Sequence, residues 1–241
     1  FTEEDYKELR GVYYGMCSKI DAQFKRLCDG LKEAGIYEDT AIFFLSDHGD
    51  YTGDYGIVEK AQNMMEDCLV RVPLLIKPPK DFGVDAGISD QMVELVDFYR
   101  TAMAFADVAP DHSQFGRKLQ SNLADRSVKV RDYVCSEGGR NEDEILPTVM
   151  GEYYPRQKLQ TDSVIHGKAA MIRNEQYKYI RRIYEDDEFY DLRLDPQERM
   201  NRIHVKEYAE IIMEMKELML DWYQKTCDVV PFEKDDRHSK E

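Results

Sequence analysis

The chain has 241 residues and a formal net charge of −15 at pH 7; 42% of its residues are hydrophobic, 34% charged and 11% aromatic. That composition excludes a disordered polyelectrolyte, and the acidic excess excludes a nucleic-acid backbone or an anionic membrane surface as the main partner. The longest apolar runs, Ala41 to Leu45 and Val72 to Ile76, are far shorter than the roughly 20 residues that span a bilayer, so no membrane span is expected.

Thr2, with Asp5 three residues later, is a capping pattern, and Tyr6, Leu9, Tyr13, Met16, Ile20, Phe24, Leu27 and Leu31 recur at steps of three and four. This spacing predicts a long amphipathic helix, broken near Gly30 and ended by Gly35. Thr40 to Ser46 is a continuous apolar run without alternation, the pattern of a strand buried on both faces in a parallel sheet. A second buried strand is expected at Val72 to Ile76, stopped by Pro78 and Pro79, then a helix from Gln91 to about Ala106 and a third strand over Val128 to Cys135.

From Glu142 to Ser163 the text is irregular, with Pro147, Gly151 and Pro155, and reads as a long connection. The pattern then changes. Ala169 to Arg173, Tyr177 to Ile183 and Phe189 to Leu192 are short strand-like runs separated by turns, which predicts an antiparallel meander. Asp186-Asp187 reads as a solvated turn, and Tyr208, Ile211, Met215, Leu218 and Trp222 place one apolar stripe on a final helix. The expected division is an α/β part over residues 1–150 and a small α+β lobe over 151–241. The five cysteines include no C-x-x-C pair and read as free thiols compatible with the cytoplasm. No secretory signal is visible at Phe1-Thr2-Glu3-Glu4, and the compartment stays open.

Chemistry concentrates where the Thr40 to Ser46 strand ends. Asp47-His48-Gly49-Asp50 sits at the carboxyl end of that strand, where open α/β sheets place ligand sites. A hard carboxylate and an imidazole there can share a cation, and Gly49 permits a sharp turn beside them. The same residues also describe an aspartate capping a helix and a solvated histidine. Lys60 follows the flexible Gly53-Asp54-Tyr55-Gly56 loop and offers an ammonium for an anionic oxygen, or is an ordinary surface lysine. Arg71 precedes the second buried strand and could meet a carboxylate or a substrate.

Taken together, Ser46-Asp47-His48-Gly49-Asp50, Gly53-Asp54-Tyr55-Gly56, Lys60 and Arg71-Val72-Pro73-Leu74-Leu75-Ile76 resemble the central block of the sulfatase family in the alkaline phosphatase superfamily. Met171-Ile172-Arg173, Tyr177-Lys178-Tyr179, Phe189-Tyr190-Asp191-Leu192, Asp195-Pro196, Glu198 and Asn201 resemble its C-terminal lobe. The resemblance implies the C-terminal part of an alkaline-phosphatase-like mixed or parallel sheet sandwiched by helices, followed by a small α+β lobe with an antiparallel sheet and a final helix. It implies a metal-dependent sulfuric ester hydrolase in which Asp47 and His48 complete a divalent metal site and Lys60 binds the sulfate oxygens. The family metal is usually Ca2+; a nitrogen ligand at His48 leaves Mn2+, Mg2+ and Zn2+ open. Tyr55 stands where many members have histidine.

None of the cysteines or serines sits in C-x-P-x-R or S-x-P-x-R, the motif from which the family makes its formylglycine nucleophile. The expectation is therefore a C-terminal half, inactive alone, whose nucleophile and remaining metal ligands lie upstream in an N-terminal half of the same protein. A sulfated small molecule or carbohydrate is the implied substrate, with His166, Lys168 and Arg71 as weaker substrate-binding candidates and Tyr153, Tyr154 and Arg156 as sugar-facing loop residues. A phosphodiester or phosphonate hydrolase of the same superfamily, or a non-catalytic fragment, are the competing readings. An isolated half exposes sheet edge and apolar surface, which predicts self-association.

Overall fold

A computed structural model describes residues 1–58, 60, 62–141 and 167–227. The Glu142 to Ser163 connection, His166 and the tail beyond Cys227 lie outside the described residues. The chain forms two compact units, one of Phe1–Lys60 with Asp67–Val84 and one of Ala61–Glu66 with Asp85–Glu241.

The first unit begins with helix α1 (Glu3–Glu33). Its capping box is complete: the Asp5 amide donates to the Thr2 hydroxyl at 3.3 Å and the Thr2 amide to Asp5 Oδ2 at 2.6 Å, which satisfies donors the helix cannot satisfy itself. The helix runs through Gly30 unbroken. The chain turns out at Ala34 and Gly35, where the glycine takes a φ of +72° that side chains disfavour. Phe24 packs its ring against Phe44 at 5.0 Å and ties α1 to strand β1 (Ile42–Leu45).

Strand β1 pairs antiparallel with β2 (Leu74–Lys77), in the register Ile42 with Lys77 to Leu45 with Leu74. The sequence expectation was a parallel, doubly buried strand. An unbroken apolar run reports that neither face is polar; it carries no information on the direction of the neighbour. Within the chain only Ile42 of the two strands is buried, and Leu75 is exposed. Lys77 fixes the far end by donating to the carbonyls of Glu38 at 3.0 Å and Thr40 at 3.1 Å.

The second unit holds helix α3 (Val96–Phe105), the short helix α4 (Gln120–Ala124) and a four-stranded antiparallel sheet in the order β3 (Val134–Gly138), β4 (Ala169–Arg173), β5 (Tyr177–Arg182), β6 (Glu188–Asp191). The short helix α2 (Asp67–Val70) belongs to the first unit. The meander expected over 169–192 is present. The strand expected over Val128 to Cys135 begins later, and it is hydrogen-bonded to β4. Residues before Val134 are held otherwise: Lys129 pairs with Asp132 at 2.6 Å, and the Arg131 side chain turns inward to Asp97.

Helix α5 (Ala209–Thr226) closes the core by packing Ile212, Met215 and Met219 onto Ala170, Ile172, Tyr179 and Phe189. The stripe is amphipathic as its 3.6-residue period requires. Arg131 grips the fully buried Asp97 with two bonds of 2.6 Å. A second set of buried cations serves the segment 62–66, a turn followed by irregular chain, where Lys178 donates to the Met65 carbonyl and Arg182 to the Asn63 carbonyl, each at 2.9 Å. The Asp186-Asp187 turn is only half solvated. Asp186 is exposed, whereas Asp187 is buried and accepts from the Tyr179 hydroxyl at 2.6 Å, Arg181 Nη1 at 3.0 Å and the Arg182 amide at 3.2 Å. Successive side chains point to opposite sides of an extended chain, so one of two adjacent aspartates can be drawn inward.

Candidate functional site

Strand β1 delivers Asp47 and His48 immediately beyond its carboxyl end. Ser46 Oγ donates to the His48 carbonyl at 2.8 Å and the His48 amide to Asp47 Oδ1 at 2.9 Å, so the turn is stiffened from both sides. That amide, and then the imidazole, hold the Asp47 carboxyl below the ordinary carboxylate range. His48 Nδ1 lies 2.7 Å from the Gly49 carbonyl. A carbonyl only accepts, so Nδ1 carries a proton, and in the neutral imidazole the Nε2 lone pair is then the one open to a cation. His48 Nε2 is 3.6 Å from Asp47 Oδ2, with side-chain exposures of 44% and 85%. With a protonated ring this contact is an ion pair; with a neutral ring the two atoms are acceptors on one side of the turn.

The turn is held down by close backbone contact. The Gly49 amide donates to the Leu69 carbonyl of α2 at 2.7 Å, and a Cβ on Gly49 would lie 1.9 Å from the Cys68 carbonyl oxygen. Only glycine fits. The sequence suggested a glycine for turning; the structure gives it a packing reason. Asp50 continues the turn, and its Oδ1 is buried with no hydrogen-bond partner among the described residues. Burial, then Cys17 and the Asp50 charge, push the Tyr13 hydroxyl up.

The following loop is fastened by α1. Arg10 donates to the Thr52 carbonyl at 2.9 Å and to Asp54 Oδ1 at 3.2 Å, and Tyr6 donates to the Gly56 carbonyl at 3.0 Å. Gly53 lies directly on the Tyr6 ring, where a Cβ would come within 2.7 Å. Tyr55 is left-handed, with a φ of +56°, and sets its ring edge-on to Tyr51 at 6.0 Å. Sequence reading missed both: Tyr6 lies on the helix stripe and looked like packing, and Arg10 lies off it and looked like a surface arginine until the loop they serve is seen. Lys60 and Arg71 are exposed in the first unit, Lys168 is exposed in the second, and His166 is outside the described residues. Among the described residues no group of three or more His, Cys, Asp or Glu side chains is disposed to hold a metal ion. The chain thus presents two converging donors, fewer than a divalent cation takes.

This fold is alkaline-phosphatase-like. The chain superposes on the phosphonate monoester hydrolase of Agrobacterium radiobacter with a TM-score of 0.77 and 26% identity, covering 93% of this chain and 43% of that one. Residues 1–108 match the family model described as Sulfatase. The arylsulfatase of Clostridium perfringens is 26% identical over 216 residues, 89% of this chain and 40% of that protein. Arylsulfatase K of Bos taurus is 29% identical over 211 residues, 83% of this chain and 34% of its own length. The chain therefore spans well under half the length of these relatives.

Proposed function

We propose that the chain supplies part of the metal and sulfate site of a sulfuric ester hydrolase. The observation that carries this reading is the Asp47–His48 pair at the end of β1, with Asp47 Oδ2 and His48 Nε2 3.6 Å apart. Asp47 and His48 would hold a divalent cation, Ca2+ as the family usually has, or Mn2+, Mg2+ or Zn2+. Such a cation supplies Lewis-acid stabilisation of the negative ester oxygens. The residues of this chain do the rest of the positioning. Gly49 and α2 hold the backbone of the turn, and the contact of Nδ1 with the Gly49 carbonyl orients the ring so that Nε2 would face the cation. Lys60, carried by the loop that Arg10 and Tyr6 fasten, would place its ammonium on the ester oxygens. The formylglycine nucleophile and the remaining ligands are proposed to come from an N-terminal half of the same protein. A sulfated carbohydrate or aryl sulfate is the substrate class, supported by the likeness to arylsulfatases.

The division of labour has a direct test. Purified 241-residue chain with added metal hydrolyses no p-nitrophenyl sulfate, and turnover free of longer contaminants would overturn it. A second reading, a phosphonate or phosphodiester hydrolase, is favoured by the likeness to the phosphonate monoester hydrolase. Metal-loaded chain that prefers methylphosphonate to sulfate, with the preference lost in Lys60→Ala, would select it.

A further inference from the structure

The second unit contains an unanswered guanidinium. Arg140 keeps both Nε and Nη2 buried, and neither has a hydrogen-bond partner among the described residues. Arginine stays charged at any ordinary pH, so each buried N–H left unmade carries a real penalty. These two atoms are not a random pair. Nε–H and the Nη2 hydrogen on the same side form one edge of the planar fork, with parallel bonds spaced for two oxygens of one anion.

The same unit shows what that edge does when it is filled. Arg193 grips the Asp191 carboxylate through Nε at 3.2 Å and Nη2 at 3.1 Å. Arg140 has the identical edge buried and without a hydrogen-bond partner among the described residues. Its backbone is fixed by a parallel bridge to Gly167, in which the Lys168 amide donates to the Arg140 carbonyl at 3.0 Å. Gly139 takes a φ of +80° just before it, so the approach to this residue is a built turn.

We propose that the Nε–Nη2 edge of Arg140 anchors an oxyanion-binding site in the second unit, shaped for the paired oxygens of a carboxylate or sulfate group. The fork supplies the geometry. The site stands apart from the Asp47–His48 reading and does not depend on a metal.

The test follows the Arg140 Nε–H resonance by NMR while the whole chain is titrated with sodium sulfate, and separately with sodium acetate, at constant ionic strength. A saturable shift is expected for at least one, acetate marking a planar carboxylate site and sulfate a tetrahedral one. Arg140→Lys, which keeps charge and loses the fork, weakens the binding roughly tenfold, as loss of a charge-assisted hydrogen bond requires; Arg140→Gln abolishes it. Asp47→Asn leaves it intact. No saturable shift with either anion overturns the proposal, as does equal affinity in Arg140→Lys and wild type. Binding kept in Arg140→Gln but lost in Asp47→Asn would move the anion to the other site and overturn it too.

Discussion

The Gly49 amide meets the Leu69 carbonyl at 2.7 Å, and this single backbone bond presses the turn that carries Asp47 and His48 onto helix α2. Gly49→Ala drives a methyl into the Cys68 carbonyl, where the built Cβ lies at 1.9 Å. Backbone cannot move aside as a flexible side chain can. The expected cost is about 1–3 kcal/mol, read by urea unfolding, together with weaker metal binding.

Arg131 and Asp97 are buried together with two 2.6 Å bonds, and Glu94 lies 3.3 Å from the same guanidinium. Arg131→Met strands the Asp97 charge in the interior and should cost about 3–5 kcal/mol. Arg131→Lys keeps the charge but not the fork and falls between. Equal stability of wild type and Arg131→Met in chemical denaturation contradicts this account of the second unit.

Asp187 is held below the ordinary carboxylate value of 3.8: burial works against it, and the bonds from Tyr179, the Arg182 amide and Arg181 outweigh that burial. A depressed folded value means that the stabilisation is full above the unfolded pKa and drains away as pH falls through the folded one. The stability difference between wild type and Asp187→Asn is therefore expected to be largest near neutrality. It should shrink as pH drops below about 4. Thermal melts of both proteins between neutral and strongly acidic pH decide it; a difference independent of pH would show that Asp187 acts only through packing.

Burial, followed by the Glu94 charge, pushes the Cys135 thiol up to about 12. Cys17 and Cys227 are exposed. Because the thiolate is the reactive form, brief iodoacetamide treatment at neutral pH should modify Cys17 and Cys227 and spare Cys135 until denaturant is added. Peptide mapping by mass spectrometry reads this directly.

Period and capping were legible in the sequence wherever local chemistry decides the outcome. The Thr2–Asp5 box, the amphipathic last helix and the meander over 169–192 each depend on neighbours within a few residues, although the buried face of that helix is Ile212, Met215 and Met219, turned from the expected stripe so that Leu218 is exposed. What escaped depends on partners far along the chain. The direction of β1 is set by β2, thirty residues on, and β3 leaves the α/β grammar because its edge pairs with β4. Asp187 looked like a turn residue because the hydroxyl and guanidinium that draw it inward belong to β5. At the candidate site, Asp47 and His48 were readable from their place after an apolar run. Their fastening by α2, and that of the next loop by Arg10 and Tyr6, were not, since a glycine, a helix-stripe tyrosine and a surface arginine have commoner explanations.

Asp47 and His48 are proposed to share a cation. Mn2+ titration of the purified chain at neutral pH, followed by electron paramagnetic resonance with Ca2+ as competitor, tests it most directly. The account predicts one saturable site, lost in both Asp47→Asn and His48→Ala while the fold is retained by circular dichroism. Mn2+ binding that survives unchanged in both variants, or no saturable site in the wild-type chain, would contradict it.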